Sequence, residues 1–360
     1  MNRIYNFSAG PSILPLQALE EAAGQLVDFE GSGMSLIEMS HRGKIYDRVH
    51  KETLSLVREI LEIPEDFNIL LLQGGATLQF GMVPMVFLKD GMTADYIITG
   101  SWAKKAFNDG KIIGDARIAW DGKDVNYTRI PGYSELNLSD NAAYVHICSN
   151  ETVGGIQWQE FPDTKAPLVA DMSSEIMSRP LPWDKLDMIY AGSQKNLAPS
   201  GMALIIIRKS LVEKARTDLP AYLRYDIHIE GNSLYNTPPT FSIWMANLTL
   251  KWVKSIGGIA EIEKRRDQKA KVLYDMIDTS NGYYKSPVHT DSRSKMNIVW
   301  RLPSEELEEA FIKQAEKAGL SGLKGHRSVG GCRASIYNAM PVEGAKALAD
   351  FMKNFMKKNG

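Results

Sequence analysis

The sequence predicts an α/β protein with a mostly parallel sheet, followed by a smaller α+β unit. Short apolar runs alternate with segments whose apolar residues recur at helical spacing, a pattern typical of β-α-β units. Several of these runs end in glycine, polar or aromatic residues, which is where ligands bind in parallel sheets. After Gly257-Gly258 the pattern changes to a long charged helix followed by short strands, which indicates a second unit.

Composition places the chain among ordinary globular proteins. A length of 360 residues is enough for a sizeable core and for more than one domain, and 24% charged residues are typical of soluble proteins. The net charge of −1 provides no overall attraction to nucleic acid or to an anionic membrane. The two cysteines, Cys148 and Cys332, lack a CxxC or histidine-rich context, so neither a disulfide framework nor a metal site is expected.

Residues 1–15 lack an apolar stretch of the length that a signal peptide needs. The apolar runs of the chain are far too short to span a bilayer. Together with the cysteine usage, these observations predict a soluble cytoplasmic protein.

The first two thirds of the chain alternate between helices and strands. Helices are predicted over 15–29, opened by Pro15, over 45–62, and after the Gly-Gly turn at 74–75. Buried strands are predicted at 68–72, 95–99, 115–130, 142–148, 167–170, 188–191 and 202–207. The last of these is expected to be the one antiparallel strand of the sheet.

The rest of the chain is mainly helical, and we place the domain boundary near residue 260. The predicted elements are helices over 241–256 and 259–278, a strand at 296–300, a helix over 304–318, a glycine-rich loop at 319–331, a strand at 333–337 and a helix over 342–358. We therefore predict a large domain of residues 16–260. A small domain is formed by residues 1–15 together with 261–360.

Residues suited to ligand chemistry follow five of the predicted strands: Thr77, Trp102, Thr152, Asp171 and Lys195. Taken singly, three of them have an ordinary alternative: Lys195 as a surface lysine, Asp171 as a helix N-cap and Trp102 as core filling. Because the carboxyl ends of parallel strands meet at one edge of a sheet, these side chains are expected to converge on one crevice. Their repetition favours a functional site over five unrelated residues.

This set matches the parts of a pyridoxal phosphate site. Such a site needs a lysine for an imine, an aspartate that keeps the pyridine nitrogen protonated, and a phosphate-binding helix N-terminus. Lys195, Asp171 and the turn at 73–77 (QGGAT) supply these parts, and Trp102 offers a flat face for the ring.

Longer motifs in the chain resemble the phosphoserine aminotransferase family. They lie at 6–11 (NFSAGP), 41–43 (HRG), 192–196 (GSQKN), 236–240 (NTPPT), 325–327 (GHR) and 333–339 (RASIYNA). The resemblance extends over essentially the whole chain, and the motifs together are far more specific than any single short pattern.

The resemblance implies a fold type I aminotransferase of class V. This fold has a large domain with a seven-stranded, mostly parallel sheet, a small C-terminal α+β domain, and a homodimer with active sites shared across the interface. The implied cofactor is pyridoxal 5′-phosphate, bound as a Schiff base to Lys195. The implied reaction is the reversible transamination of 3-phosphohydroxypyruvate with L-glutamate in serine biosynthesis, and pyridoxine biosynthesis is a further possible role.

The resemblance also assigns cofactor contacts. Lys195 is the Schiff-base lysine and proton carrier, Asp171 pairs with the pyridine nitrogen, and Trp102 stacks on the ring. The remaining cofactor residues are Thr152 near the phenolic oxygen, Gly75, Ala76, Thr77 and Gln194 at the phosphate, and Asn236 and Thr237 from the partner subunit.

Both substrates carry an α-carboxylate and a second anionic group, and arginine offers bidentate geometry to such groups. Arg333 is therefore expected to bind the α-carboxylate. The distal phosphate or γ-carboxylate is assigned to two His-Arg pairs, His41 with Arg42 and His326 with Arg327. Thr77 and Ala9 stand where some members of the family carry Arg and Ser, so phosphate binding is expected to depend more on the second pair.

Two other functions remain open from the sequence. A lyase or desulfurase of the same fold would need a nucleophilic cysteine, for which Cys332 beside Gly330-Gly331 is the candidate. A non-enzymatic phosphate-binding module with a similar sheet would need neither Lys195 nor Asp171.

Overall fold

The computed structural model describes residues 3–360; residues 1 and 2, the start of the predicted small-domain segment 1–15, lie outside the described part. The described residues form ten α-helices and thirteen strands. The helices are α1 (Leu16–Gln25), α2 (Lys44–Leu61), α3 (Gly75–Phe87), α4 (Ser101–Ile113), α5 (Lys209–Val212), α6 (Tyr225–Glu230), α7 (Thr240–Ser255), α8 (Gly258–Asp278), α9 (Glu305–Lys317) and α10 (Val342–Asn359). Of residues 3–360, none belongs to a helix long and apolar enough to cross a membrane.

The strands are mostly short and buried. They are β1 (Tyr5–Asn6), β2 (Phe67–Gln73), β3 (Thr93–Ile98), β4 (Ala116–Asp121), β5 (Ala142–Cys148), β6 (Asn150–Glu151), β7 (Ile156–Gln157), β8 (Leu168–Asp171), β9 (Met188–Gly192), β10 (Met202–Arg208), β11 (Asn297–Trp300), β12 (Leu320–Ser321) and β13 (Cys332–Ser335).

Seven strands form the central sheet in the order β2-β10-β9-β8-β5-β3-β4. β10 is antiparallel to both of its neighbours, whereas the pairs from β9 to β4 are parallel. The sheet is covered on both faces, because Leu204 and Ile206 of β10 pack with α1, α2 and α7, and Ala203 and Ile205 pack with α3 and α4. The predicted α/β class, the seven-stranded sheet and the antiparallel strand at 202–207 are confirmed.

Three predicted elements were wrong in extent. The strand predicted over 115–130 ends at Asp121, whose carboxylate accepts the backbone N–H of Lys123 and starts a 3-10 turn. The helix predicted over 15–29 ends at Gln25. The loop predicted at 319–331 contains β12, which pairs in parallel with β1 from the start of the chain.

The small unit has its own core. Its two short sheets pair β11 with β13 and β1 with β12, and Phe7 and Ile13 pack with apolar residues of α8, α9 and α10. Helix α8 contributes Ile262 to the core of the large unit and Leu273 to that of the small unit, so it connects the two. The boundary near residue 260 stays a prediction.

A buried hydrogen-bond network joins the two units beneath the central sheet edge. The Asn150 side chain donates to Asn297 Oδ1 at 2.7 Å and accepts from Ser294 Oγ at 2.5 Å. Asn297 Nδ2 in turn donates to Tyr337 Oη at 3.2 Å, and Tyr337 donates to the Ala9 carbonyl at 2.8 Å. Since partly satisfied buried networks are costly, this network fixes the position of the small unit relative to the sheet.

Lys269 of α8 is fully buried. Its Nζ donates to the carbonyl oxygens of Tyr337 at 2.7 Å and Met340 at 3.0 Å. Burial lowers the pKa of Lys269 to about 7, and the charges of Arg265 and Arg266 add to this effect. The amine is therefore neutral in the folded chain over a pH range in which it is charged in the unfolded chain.

We expect the free energy of unfolding of the wild type, relative to Lys269→Met, to rise between about pH 7 and pH 10.5. In this window the unfolded chain binds one more proton at Lys269 than the folded chain, so stability grows by up to about 1.4 kcal/mol per pH unit. Below about pH 7 both states are protonated and the difference is constant. Urea unfolding of both proteins across this range measures it, and a flat difference would contradict the neutral amine.

Candidate active site

A cavity of about 390 Å³ lies at the carboxyl edge of the central strands. Its walls bring together many of the predicted site residues, namely Gly75, Ala76, Thr77, Trp102, Asp171, Gln194 and Lys195. These residues come from segments that follow different strands of the sheet, as predicted from the strand ends.

Lys195 follows β9 and is 8% exposed. Its Nζ donates to Thr152 Oγ1 at 2.7 Å and lies 5.6 Å from the centre of the Trp102 ring. The backbone around Lys195 is held by Ser12, whose hydroxyl donates to the Lys195 carbonyl and whose N–H donates to the Gln194 carbonyl at 3.0 Å. The amine therefore moves on a fixed backbone.

Asp171 is the last residue of β8 and is 4% exposed. Its Oδ1 accepts the backbone N–H of Ser173 at 2.9 Å and the Ser173 hydroxyl at 2.6 Å. Ser173 Oγ accepts the N–H of Gly192 from the adjacent strand at 3.0 Å. Burial raises the pKa of the Asp171 carboxyl, while Lys195 and Ser173 offset part of that effect. The carboxylate is thus held in a fixed orientation at the cavity wall.

The N-terminus of α3 forms the other end of the cavity. Its N-cap Gly74 has a φ of 87°, and a Cβ there would lie 2.6 Å from the Leu78 side chain, so this position requires glycine. Gly74 has no side chain to cap the helix. The first N–H groups of α3 are therefore available to an anion, and the helix dipole favours one.

The residues present fit pyridoxal phosphate. A buried amine, a carboxylate, a flat indole and an uncapped helix N-terminus surround one cavity, and these are the kinds of group that suit an aldehyde, a pyridine nitrogen, a ring face and a phosphate. Among the described residues, the indole N–H of Trp102 is buried without a hydrogen-bond partner. An unpartnered buried donor at the cavity wall is consistent with a site built for a ligand.

Arg333 of β13 lies beside this constellation and is 9% exposed. Its Nη1 donates to the Thr152 carbonyl at 3.2 Å, and among the described residues its Nε has no partner. Burial lowers the pKa of the guanidinium. A buried arginine with N–H groups that lack a partner can donate two parallel hydrogen bonds to a carboxylate.

The remaining predicted substrate residues lie further out. His326 is half-buried and Arg327 is exposed in a turn where His326 Nδ1 lies 2.7 Å from Ser328 Oγ. Burial lowers the pKa of His326, and the positive charges of Arg333, Arg327 and Lys105 lower it further. Arg327, Arg333 and Lys105 therefore form a cationic cluster around His326.

Eight of the predicted site residues do not line this cavity. Thr152 and Arg333 lie beside it, since Thr152 bonds the Lys195 amine and Arg333 bonds the Thr152 carbonyl. Within residues 3–360, the cavity wall also lacks His326, Arg327, His41, Arg42, Asn236 and Thr237. The Thr237 carbonyl accepts the side-chain N–H of Gln73 at 2.6 Å, which holds that segment at the end of β2.

Cys332 is 1% exposed, and burial raises the pKa of its thiol. Reactive cysteines are partly exposed and have lowered pKa values. The structure therefore gives no support to the desulfurase alternative.

Sequence reasoning missed Ser12, Ser173 and Glu151. Ser173 was detectable, because a serine two residues after an aspartate can donate to it in a local turn. Ser12 and Glu151 had no such local signal, since they contact Lys195 and Trp102 across long stretches of sequence.

Comparisons with known proteins agree with this geometry. The profile of the Aminotransferase class-V family matches residues 4–348. A phosphoserine aminotransferase of Lysinibacillus sphaericus (strain C3-41) is 53% identical over 358 residues, covering 99% of each chain. The structure of a phosphoserine aminotransferase from Bacillus circulans subsp. alkalophilus superimposes with a TM-score of 0.98 at 50% identity over 100% of both chains. A phosphoserine aminotransferase with bound pyridoxal phosphate from Trichomonas vaginalis superimposes with a TM-score of 0.93 at 40% identity, covering 98% of this chain and 100% of that one.

Proposed function

The chain belongs to the phosphoserine aminotransferase family of the class-V aminotransferases, and from this membership we propose the reaction that it catalyses. It is a pyridoxal-phosphate-dependent enzyme that transfers the amino group of L-glutamate reversibly to 3-phosphohydroxypyruvate, giving O-phospho-L-serine and 2-oxoglutarate. The observation that carries this proposal is the buried Lys195 amine, 2.7 Å from Thr152 Oγ1, in a cavity that Asp171 and the N-terminus of α3 share.

Pyridoxal phosphate supplies an electron-withdrawing ring that stabilises negative charge at the substrate Cα. In the proposed site Asp171 would hold the ring nitrogen, Trp102 would cover the ring and Thr152 would bond the phenolic oxygen. Gly75, Ala76, Thr77 and Gln194 would hold the phosphate. The support for these roles is that all of them except Thr152 line one cavity, and Thr152 bonds the amine of Lys195.

Lys195 moves the proton. Its Nζ, in the neutral form, takes the proton from Cα of glutamate, since a neutral amine is the form that acts as a base. Thr152 Oγ1 accepts a hydrogen bond from this amine and orients it. Ser12 holds the backbone of Lys195, so any movement of the amine comes from the side chain alone.

Anion-binding side chains select the substrates. Arg333 binds the α-carboxylate that both amino-acid and keto-acid substrates carry. The cationic cluster around His326 and Arg327 binds the distal phosphate or γ-carboxylate, and His41 and Arg42 act on the same group. Charge-assisted hydrogen bonds to such groups are among the strongest that a protein makes.

The active enzyme in this proposal is a homodimer that shares its active sites. Large apolar side chains are exposed at Val27, Met34, Ile37, Tyr235 and Phe241, and a partner subunit docked there would bury them. The helix bearing Phe241 meets the segment around Phe29 through the ring of Trp244. A partner docked on this surface would receive Asn236 and Thr237 at its cofactor phosphate. Equilibrium sedimentation tests this, and a monomeric holoenzyme would contradict it.

The proposal extends to domains and cellular role. The division into residues 16–260 and residues 1–15 with 261–360 is supported by the separate apolar core of the small unit. We place the enzyme in the cytoplasm, in serine biosynthesis, with pyridoxine biosynthesis as a second role. Limited proteolysis of the domain boundary and assays with phosphorylated four-carbon keto acids test these two points.

We expect a coupled assay of phosphoserine formation from glutamate to show at least about 100-fold higher kcat/KM for 3-phosphohydroxypyruvate than for hydroxypyruvate. The unphosphorylated acceptor loses two or more charge-assisted hydrogen bonds, each worth roughly 1.5–3 kcal/mol. Arg327→Ala should lower kcat/KM for the phosphorylated acceptor and leave that for hydroxypyruvate nearly unchanged. Equal use of both acceptors by the wild type would rule out the assigned substrate.

A further inference from the structure

We propose that Glu151 is a positioning residue for the cofactor: its buried carboxylate caps α4 from a neighbouring strand and thereby fixes the indole of Trp102. Glu151 does not line the cavity and belongs to none of the motifs that pointed to the function. Glu151 acts on the Trp102 indole through the backbone at the start of α4.

The contact is bidentate and specific to the first turn of α4. Glu151 Oε2 accepts the N–H of Trp102 at 3.1 Å, and Oε1 accepts the N–H of Ala103 at 2.8 Å. These are two of the N–H groups that a helix leaves without an internal partner. The helix has no cap from its own N-cap residue, Gly100, so the carboxylate from β6 takes that place.

Gly100 provides the space for this carboxylate. A Cβ at position 100 would lie 2.6 Å from Glu151 Cδ and 2.8 Å from Cγ, closer than any real contact. The backbone of Gly100 is extended, with a φ of 171°, which any residue can adopt. Glycine is needed here because a side chain would collide with Glu151. The Gly100-Ser101-Trp102 turn and Glu151 therefore form one packed arrangement.

This arrangement controls two groups at the cofactor site. Glu151 accepts the backbone N–H of Trp102, and the ring of that residue lies 5.6 Å from Lys195 Nζ. The residue after Glu151 is Thr152, whose hydroxyl oxygen accepts a hydrogen bond from the Lys195 amine. A shift of Glu151 would therefore move both the Trp102 indole and the Thr152 hydroxyl. A carboxylate that caps a helix away from the cavity would move neither.

The choice of glutamate fits this role. Glu151 is fully buried, and that burial raises its pKa to about 7; the N–H groups of Ala103 and Trp102 and the Lys195 amine lower it, and Asp171 raises it. A glutamine offers one acceptor oxygen and an NH₂ group that would face an N–H. Only a carboxylate accepts both N–H groups. Burying a carboxylate has a desolvation cost, and we attribute its presence here to the need to hold Trp102 in place.

The test compares Glu151→Ala and Glu151→Gln with the wild-type holoenzyme by cofactor dissociation constant and by visible circular dichroism of the bound cofactor. For Glu151→Ala we expect at least a tenfold rise in the dissociation constant of pyridoxal phosphate and loss of at least half of the visible dichroism. For Glu151→Gln, which keeps one acceptor, both values should lie between those of the wild type and of Glu151→Ala. These readouts do not depend on turnover.

Asp95→Ala is the matched control. Asp95 is also a fully buried carboxylate, and it accepts the N–H of Ser139 at 2.6 Å and its hydroxyl at 2.8 Å, away from the cavity. This variant should lower the melting temperature and leave cofactor affinity and dichroism unchanged. If the Glu151 variants behave in the same way, Glu151 is only a structural cap and the proposal is overturned.

If Glu151→Ala does not fold, Glu151→Gln decides, and wild-type values of both cofactor readouts in that variant overturn the proposal. The inference rests on the proposed cofactor site, and the experiment separates the two. A wild-type chain that fails to bind pyridoxal phosphate refutes the site itself, whereas normal wild-type binding with unaffected variants refutes only the role of Glu151.

Discussion

Lys195→Ala is expected to lower kcat for transamination by at least about 1,000-fold, the largest effect of any single substitution in this chain. The substitution removes both the amine that bonds covalently to the cofactor and the base that moves the Cα proton, and positioned bases alone contribute about 10²–10⁴-fold. The steady-state rate of phosphoserine formation measures it. Borohydride reduction of the wild type should also place the cofactor label on Lys195, as peptide mass spectrometry can show.

Lys209→Ala is the matched control, because Lys209 lies just after the strand that pairs with the Lys195 segment but is exposed. It should retain wild-type turnover and the borohydride label. Full turnover of Lys195→Ala, or a label on another lysine, would refute the assignment of the catalytic amine.

The large domain was predictable because its signals are local. Each parallel strand appears in the sequence as a short apolar run, since both faces of the sheet are covered, and each crossover appears as a helical repeat. The strand predicted over 115–130 was too long because Asp121, whose carboxylate accepts the N–H of Lys123, begins a 3-10 turn. A pattern based on hydrophobic periodicity does not detect such a bond.

The small unit was less predictable because its pairings are distant in sequence. Leu320–Ser321 was predicted as loop, since two residues have no periodicity, and it becomes a strand only because Tyr5–Asn6 lies beside it. Residue pairs at such separations leave no mark in any local window, so the sequence shows the composition of this strand but not its partner.

The site divides in the same way. Lys195 and Asp171 follow predicted strands, and the topology of parallel sheets alone brings them to one edge. Arg333 has no such signal, because it lies in the small unit and reaches the site only through the docking of β13 beside Thr152. Its assignment came from the motif resemblance, and its role stays a proposal.

Arg333→Ala is expected to raise KM for glutamate and for 3-phosphohydroxypyruvate by about 10–150-fold each. Both substrates present an α-carboxylate, and hydrogen bonds to charged groups are worth roughly 1.5–3 kcal/mol. The KM values of Arg333→Lys should lie between those of the wild type and of Arg333→Ala, because lysine keeps the charge but not the bidentate geometry. Steady-state kinetics with each substrate varied in turn measures this, and an effect on only one substrate would contradict a shared α-carboxylate site.

Stability separates this functional role from a structural one. Among the described residues Arg333 donates to the Thr152 carbonyl and forms no salt bridge with a carboxylate, so its charge is buried at a desolvation cost without a paired anion. Arg333→Met is therefore expected to keep or raise the melting temperature of the cofactor-free protein while losing substrate affinity. Arg293, whose guanidinium bonds Asp278 at 2.7 and 2.9 Å, is the control: Arg293→Ala should lower the melting temperature and leave both KM values unchanged. A melting temperature for Arg333→Met that falls like that of Arg293→Ala, with unaltered KM values, would make Arg333 a structural residue.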